Sequence, residues 1–186
     1  MHVASVEGIE GLTLGRLAEV LDTSKSGIQT LFGTKQELQL SIVAAASHVF
    51  EREVLLPAER QPAGLPRLRA LMSYWIDYLE IFEGGCLFVA AASELDGRSG
   101  PARDAVAVAV ARAETLLRRE VELAQRLREL PSDTDVEQLT FELHAMVLQA
   151  NHDRQLLGRK DALTRARNAV DRLLGVEQQT GDAPTR

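Results

Sequence analysis

The chain has 186 residues, a formal charge of −6, 45% hydrophobic content and only 4% aromatics. That is enough apolar material for a core of domain size, and the acidic balance excludes a protein that coats nucleic acid through bulk positive charge, though not a local DNA-reading surface. The single cysteine, Cys86, excludes an intramolecular disulfide and thiolate zinc clusters, and no apolar run approaches the roughly 18 residues of a membrane span.

The N-terminus has no basic region followed by an apolar one, so with Cys86 reduced the expected location is the cytoplasm. Ala, Leu, Glu and Arg dominate and no run alternates strictly between apolar and polar, which predicts an all-α fold. From Leu14 the apolar residues Leu14, Leu17, Ala18 and Leu21 fall on one face of a helix of about two turns. Thr13 is placed to cap it, and Leu12 and Leu17 form a hydrophobic staple around the cap. Asp22 then interrupts the pattern at a position where a left-handed turn is tolerated, and Ser24 is the natural cap of a second short helix. Its inward residues are read as Ile28, Leu31 and Phe32. Lys25, Ser26, Gly27, Gln29 and Thr30 are left facing out. Gly33 stops this helix, and Thr34 with Glu37 forms a capping box that launches a longer one to about residue 56. Residues 57–66, with three prolines and Gly64, read as a linker.

Beyond the linker, Leu65, Leu68, Met72, Trp75, Leu79 and Phe82 form one stripe and Tyr74, Tyr78 and Ile81 a second, so this helix is buried on most of its circumference. Gly84-Gly85 breaks it, a short helix covers residues 87–95, and Pro101 opens a long helix to about residue 130. Thr134 and Glu137 make a further capping box for a helix to about 157. A last helix spans about 160–174, and residues 175–186 are polar enough for a frayed tail.

Two short helices joined by a tight turn, the second exposing small polar side chains, have the geometry that enters a B-DNA major groove. The two breaks within a dozen residues then isolate a recognition helix. In detail the run G-I-E-G-L-T-L-G-R-L-A-E-V-L from Gly8, continued by D-T-S-K-S-G-I-Q-T-L-F-G-T-K-Q-E-L, resembles the TetR family of bacterial transcriptional repressors. The resemblance implies a helix-turn-helix head whose recognition helix runs over residues 25–31, with Phe32 seating it on the core and Lys35 and Thr13 at phosphate-contacting positions. It implies DNA contacts from Thr13, Arg16, Ser24, Lys25, Ser26, Gly27, Gln29, Thr30 and Lys35. Residues 1–56 would form the head and connecting helix, and 65–174 a helical effector-binding and dimerisation body.

The chain departs from the family pattern in three ways. Asp22 stands where Gly is usual, and Gln29, Thr30 and Leu31 replace an aromatic followed by His. The first helix has only Met1 to Glu7, with Val3 and Val6 resembling the end of an amphipathic helix, so a shortened chain is the expectation. Residues 1–60 carry five basic against eight acidic side chains, a net charge of −3, so DNA binding must rely on placement, with Arg16, Lys25 and Lys35 toward phosphates.

For the body, the resemblance implies an effector cavity lined by Met72, Trp75, Tyr78, Phe82, Phe88, Phe141 and His144, with Met146 a further candidate. Each of these also reads as plain core at helical spacing. Trp75 and Tyr78 have polar tips that need partners, which favours a cavity. The last two helices are the implied dimer interface, which two half-sites of a palindromic operator require. Cys86 reads as a small buried residue, His144 as a core or interface histidine and His152-Asp153 as a solvated helix end. The four histidines have no zinc-like spacing, and no cofactor or metal is expected. The run Arg112, Arg118, Arg119, Arg126 and Arg128 alternates with glutamates that can pair at i,i+4. The expectation is a ligand-responsive homodimeric regulator, a repressor, that binds operator DNA. The alternative is a helical dimer that binds a ligand or protein but no DNA. An enzyme has no support, since no phosphate loop, paired carboxylate motif or activated nucleophile is present.

Overall fold

A computed structural model describes residues 1–175, which are all-helical with no strand among them. Helices α1 (His2–Glu7), α2 (Leu14–Val20), α3 (Lys25–Phe32) and α4 (Lys35–Phe50) build the N-terminal part. Their ends are set by the caps that the sequence implies. Thr13 Oγ1 accepts from the Arg16 amide at 3.1 Å, Ser24 Oγ from Gly27 at 3.1 Å, and Thr34 and Glu37 close a reciprocal capping box. Asp22 takes the left-handed turn position between α2 and α3, at φ 46°.

Leu31 departs from expectation: it is 76% exposed, because α3 inserts only Ile28 fully between α2 and α4. Spacing alone puts Leu31 within one turn of Ile28, but a helix held at a corner buries a narrower stripe than one laid flat.

The expected linker is partly helical. Helix α4 passes through a π-helical turn (Glu51–Leu55) into α5 (Leu56–Glu59), where Pro57 occupies the first turn. Val54 and Ala58 of this stretch are buried in the body's core. Helix α6 (Leu65–Tyr78) ends before Phe82, and Arg154 Nη1 donates to the Leu79 carbonyl beyond its end at 3.1 Å. Then come α7 (Leu87–Leu95), α8 (Pro101–Arg126), α9 (Val136–Gln155) and α10 (Ala162–Leu173). The cap of α9 is Asp135, one residue later than expected, its carboxylate accepting from the Gln138 amide at 3.0 Å. Of the expected tail, residues 176–186 lie outside the described residues.

Two hydrophobic clusters organise the molecule. One joins α6, α8, α9, α10 and the end of α4, with Leu68, Met72, Leu117, Leu143 and Val147 at its centre. The other joins Ala4, Ile9, Leu12, Leu38 and Ile42 of the N-terminal part to Leu87, Ala91 and Leu95 of α7 and to Ala102 and Val106 of α8. Helix α7 therefore belongs to the body in sequence and joins body and head in packing. Among the described residues no helix is long and apolar enough to cross a membrane.

Candidate functional site

The outer face of α3 is short and polar. Ser24, Lys25, Ser26, Gln29 and Thr30 are exposed, and Gly27 is half-buried. Several of these groups are already occupied locally: Ser24 Oγ lies 3.1 Å from Ser26 Oγ, and Thr30 Oγ1 donates to the Ser26 carbonyl at 2.8 Å. Lys25 and Gln29 have no side-chain partner among the described residues. Leu31 adds an apolar contact to the same exposed end.

The other basic residues of the head are tied down. Arg16 Nη2 sits 2.6 Å from Glu7 Oε1 and Nη1 3.4 Å from Glu19. That hydrogen bond holds the Glu7 carboxyl below the usual range. Lys35 Nζ donates to the Glu10 carbonyl at 2.7 Å and lies 3.4 Å from its carboxylate. Much of the head's acidity is thus spent on its own cations, and Lys25 is the phosphate-facing candidate with no ion pair among the described residues.

A cavity of about 370 Å³ lies in the body, within the range of small-molecule sites. Its wall includes Phe50 from α4, Glu51 from the π turn, Trp75 from α6, Phe88 from α7, Leu116 from α8 and His144 from α9. A π turn changes which residues of a helix face inward, and such turns recur at functional sites. Trp75 packs edge-on to Phe50 with ring centroids 5.1 Å apart and lies at 5.3 Å and 33° over His144. His144 Nδ1 is 2.8 Å from Glu114 Oε1.

Of the seven residues expected at a cavity, Trp75, Phe88 and His144 line it. Met72 and Tyr78 do not, because α6 is enclosed nearly all round and only part of it borders the cavity, and Phe82, in the turn beyond α6, is buried in the same core. Phe141 is 69% exposed on the outer face of α9, away from the cavity. Met146 packs partly buried against the core. Cys86 is buried at the wall, where loss of solvent pushes its thiol up to about 11, and its amide donates to Asn151 Oδ1 at 2.9 Å. His152 is exposed, but Asp153 is buried and accepts from Gln149 at 2.7 Å and Arg159 at 2.8 Å, so only half of that pair is a solvated helix end. In α8, Glu122 pairs with both Arg118 and Arg126 at i,i+4, whereas Glu120 pairs with Arg67 at 3.6 Å.

The sequence reading missed Phe50, Glu51, Leu116 and the Glu114 partner of His144. The apolar spacing runs on through the π turn at Phe50, Val54 and Ala58, so no local pattern marks it. The Glu114–His144 pair spans 30 positions and depends on the register of α8 against α9, which no local pattern encodes.

Head and cavity meet through α7. Its Phe88 faces the cavity, while Glu94 Oε2 accepts from the Glu10 amide of the head at 3.0 Å and Arg98 Nη1, just past the helix, pairs with Glu10 at 3.1 Å. On the far side the Gly84 amide donates to Ser5 Oγ of α1 at 3.3 Å.

Residues 64–170 match the family model described as Tetracyclin repressor-like, C-terminal domain. No protein of curated function matches the chain in sequence. Among solved structures, a TetR-family transcriptional regulator from Streptomyces coelicolor is similar with a TM-score of 0.79 at 18% identity, over 95% of this chain and 85% of that one. AibR, in complex with isovaleryl coenzyme A and operator DNA, is similar with a TM-score of 0.75 at 19% identity, over 92% of each chain. The reduced form of E. coli NemR is similar with a TM-score of 0.74 at 20% identity, over 91% of this chain and 90% of that one. With more than half of its length matched by the family model and its helical architecture shared with these structures, the chain belongs to the TetR family of transcriptional regulators.

Proposed function

We propose that the protein is a cytoplasmic, non-enzymatic repressor that binds a palindromic operator as a homodimer and is released by a small molecule held in the body cavity, with no further cofactor. The observation that carries this reading is the double attachment of α7, which lines the cavity with Phe88 and holds the head through Glu94. A ligand that fits the cavity better in one position of α7 shifts the spacing of two heads, and only such differential affinity moves the population. A hundredfold relief of DNA binding corresponds to a coupling of about 2.7 kcal/mol. The complex of AibR with both an acyl-coenzyme A and operator DNA supports the pairing of these two partner types.

On DNA, α3 would lie in the major groove. Thr13, Arg16 and Lys35 flank it toward phosphates, Lys25 and the Ser24 to Gly27 turn approach the backbone, and Gln29 and Thr30 face base edges. Exposed Leu31 suits apolar contact with a thymine methyl group. Arg16 and Lys35 must exchange their carboxylates for phosphates on binding, which predicts modest affinity and strong salt dependence. For dimerisation, Phe141, Ala145 and Leu148, which also borders the cavity, leave an apolar stripe along α9 that Leu156 continues just past its end, and with α10 it would pack on its symmetry mate as a four-helix interface.

The test is selection of sites from fragmented genomic DNA of the source organism, followed across a salt series. Enrichment of a palindromic site is expected. Lys25→Ala should weaken all sequences and flatten the salt slope by about one unit, while Gln29→Ala should change base preference. A dimer that enriches no site at any salt would move the assignment to a ligand- or protein-binding module without DNA.

A further inference from the structure

The wall of the cavity restricts the chemistry of what it holds. Its interior side is aromatic and aliphatic, from Phe50, Trp75, Phe88, Leu116 and Val147. Three charged side chains line it: Glu51 and Asp96 against Arg112. An anionic ligand therefore meets two carboxylates and one guanidinium, and Glu114 places a third carboxylate directly behind the His144 ring. Desolvating an anion in such surroundings is unfavourable. Arg112 and Asp96 are both exposed and share their charges with water, which leaves half-buried Glu51 as the charged group least screened from a ligand.

His144 is the ring on this wall with a nitrogen able to accept a hydrogen bond, since the indole N–H of Trp75 can only donate. Its Nδ1 lies 2.8 Å from the Glu114 carboxylate, which can only accept, so the proton of that tautomer is held on Nδ1 and its Nε2 is the acceptor. A flip of the ring would keep its plane beside Trp75 but give up the bond to Glu114, so that bond is what holds this orientation. An acceptor at the edge of an aromatic wall recognises a hydroxyl on a flat body.

Resting on the reading of this cavity as the effector site, we propose that it takes an uncharged ring compound bearing a hydroxyl group, which donates to His144 Nε2 while its body packs against Trp75 and Phe88. Glu114 is a positioning residue that sets the tautomer.

The chain has one tryptophan, Trp75, so its emission reports occupancy of this wall and no other. Affinities for 4-phenylphenol, biphenyl and biphenyl-4-carboxylate would be measured by calorimetry, with Trp75 emission locating the binding. 4-Phenylphenol is expected to bind about tenfold tighter than biphenyl, the worth of one net hydrogen bond, and the carboxylate more weakly than either. His144→Phe keeps a ring against Trp75 and should reduce the phenol-to-biphenyl ratio to about one. Glu114→Ala leaves the imidazole in place but frees its tautomer, and should lower the ratio without abolishing biphenyl binding. A ratio unchanged in both variants overturns the role of His144. Tightest binding by the carboxylate overturns the ligand class and leaves the cavity an effector site. Binding of none of the three, with Trp75 emission unmoved, overturns the proposal for ring compounds, while the DNA selection decides separately whether the protein is a regulator.

Discussion

Tyr78 has the only buried side-chain polar atom without a hydrogen-bond partner among the described residues. Its ring packs edge-on against Phe50 at 5.3 Å and Phe82 at 6.1 Å, and burial pushes its hydroxyl far above the usual range for a phenol. An unpaired buried hydroxyl costs about 1–3 kcal/mol, and Tyr78→Phe removes that cost while keeping the ring contacts. The variant should be stabilised by about 1 kcal/mol in urea denaturation, with ligand and DNA binding unchanged. A loss of stability instead would mean that the hydroxyl is satisfied in solution. In the sequence, the family resemblance puts Tyr78 and Trp75 together at a cavity, and their polar tips favour that placement. Positions i and i+3 share a helix face, yet only Trp75 borders the cavity, because neighbouring side chains such as Phe50 and Phe82 close over Tyr78. The caps Thr13, Ser24 and Thr34 were legible because each is satisfied within three residues of itself. Leu31, Phe141 and the Glu114–His144 pair were not, since exposure and long-range pairing depend on where neighbouring helices lie.

Helices show the same division between local and distant causes. Gly84-Gly85 reads in the sequence as the break that ends α6, but the helix already stops at Tyr78, and the role the pair does play has no local sequence signal. A Cβ on Gly84 would come within 1.8 Å of the Ser5 carbonyl oxygen, so the bare backbone is a seat for α1. At six residues α1 is too short to persist alone and depends on this seat, on Ala4 in the head's core and on the edge contact of His2 with Phe82 at 5.2 Å. Gly84→Ala must displace α1 or distort the turn. The expected result is a stability loss of about 1–3 kcal/mol with faster hydrogen exchange in residues 2–7 and weaker DNA binding, while Trp75 emission stays as in the parent. Unchanged exchange in α1 would show that the turn yields instead. The π turn after α4 was likewise invisible to a 3.6-residue period, although it is what carries Glu51 and Leu55 to the cavity.

At the scale of the molecule, two apolar clusters share only partly buried residues such as Met1 and Phe88, and this gives acid a preferred point of entry. In the head, Glu7, Glu10 and Glu37 all have carboxyls held below the usual range. For Glu10 the first cause is the hydrogen bond from Gln39, followed by Lys35 and Arg98, which tie the head to the end of α7. A carboxyl depressed in the folded state adds stability that is complete above its unfolded pKa, about 4.3 for glutamate, and is lost as pH falls through the lower folded value. In the body the depressed groups are Asp153, held by Arg159 against its own burial, and Asp161, held by Arg165. Aspartates start lower, near 3.9, so this contribution is lost later. Acidification from pH 6 should therefore release helix in the head before the cavity opens. Far-UV circular dichroism should fall first, and the emission of Trp75, which sits wholly in the body cluster, should follow at lower pH. Arg98→Ala removes one partner of Glu10 and should move the first step toward neutral pH while leaving the Trp75 step in place. Coincident transitions in the parent and the variant would mean that the two clusters unfold as one unit, with α7 a rigid bridge between head and cavity.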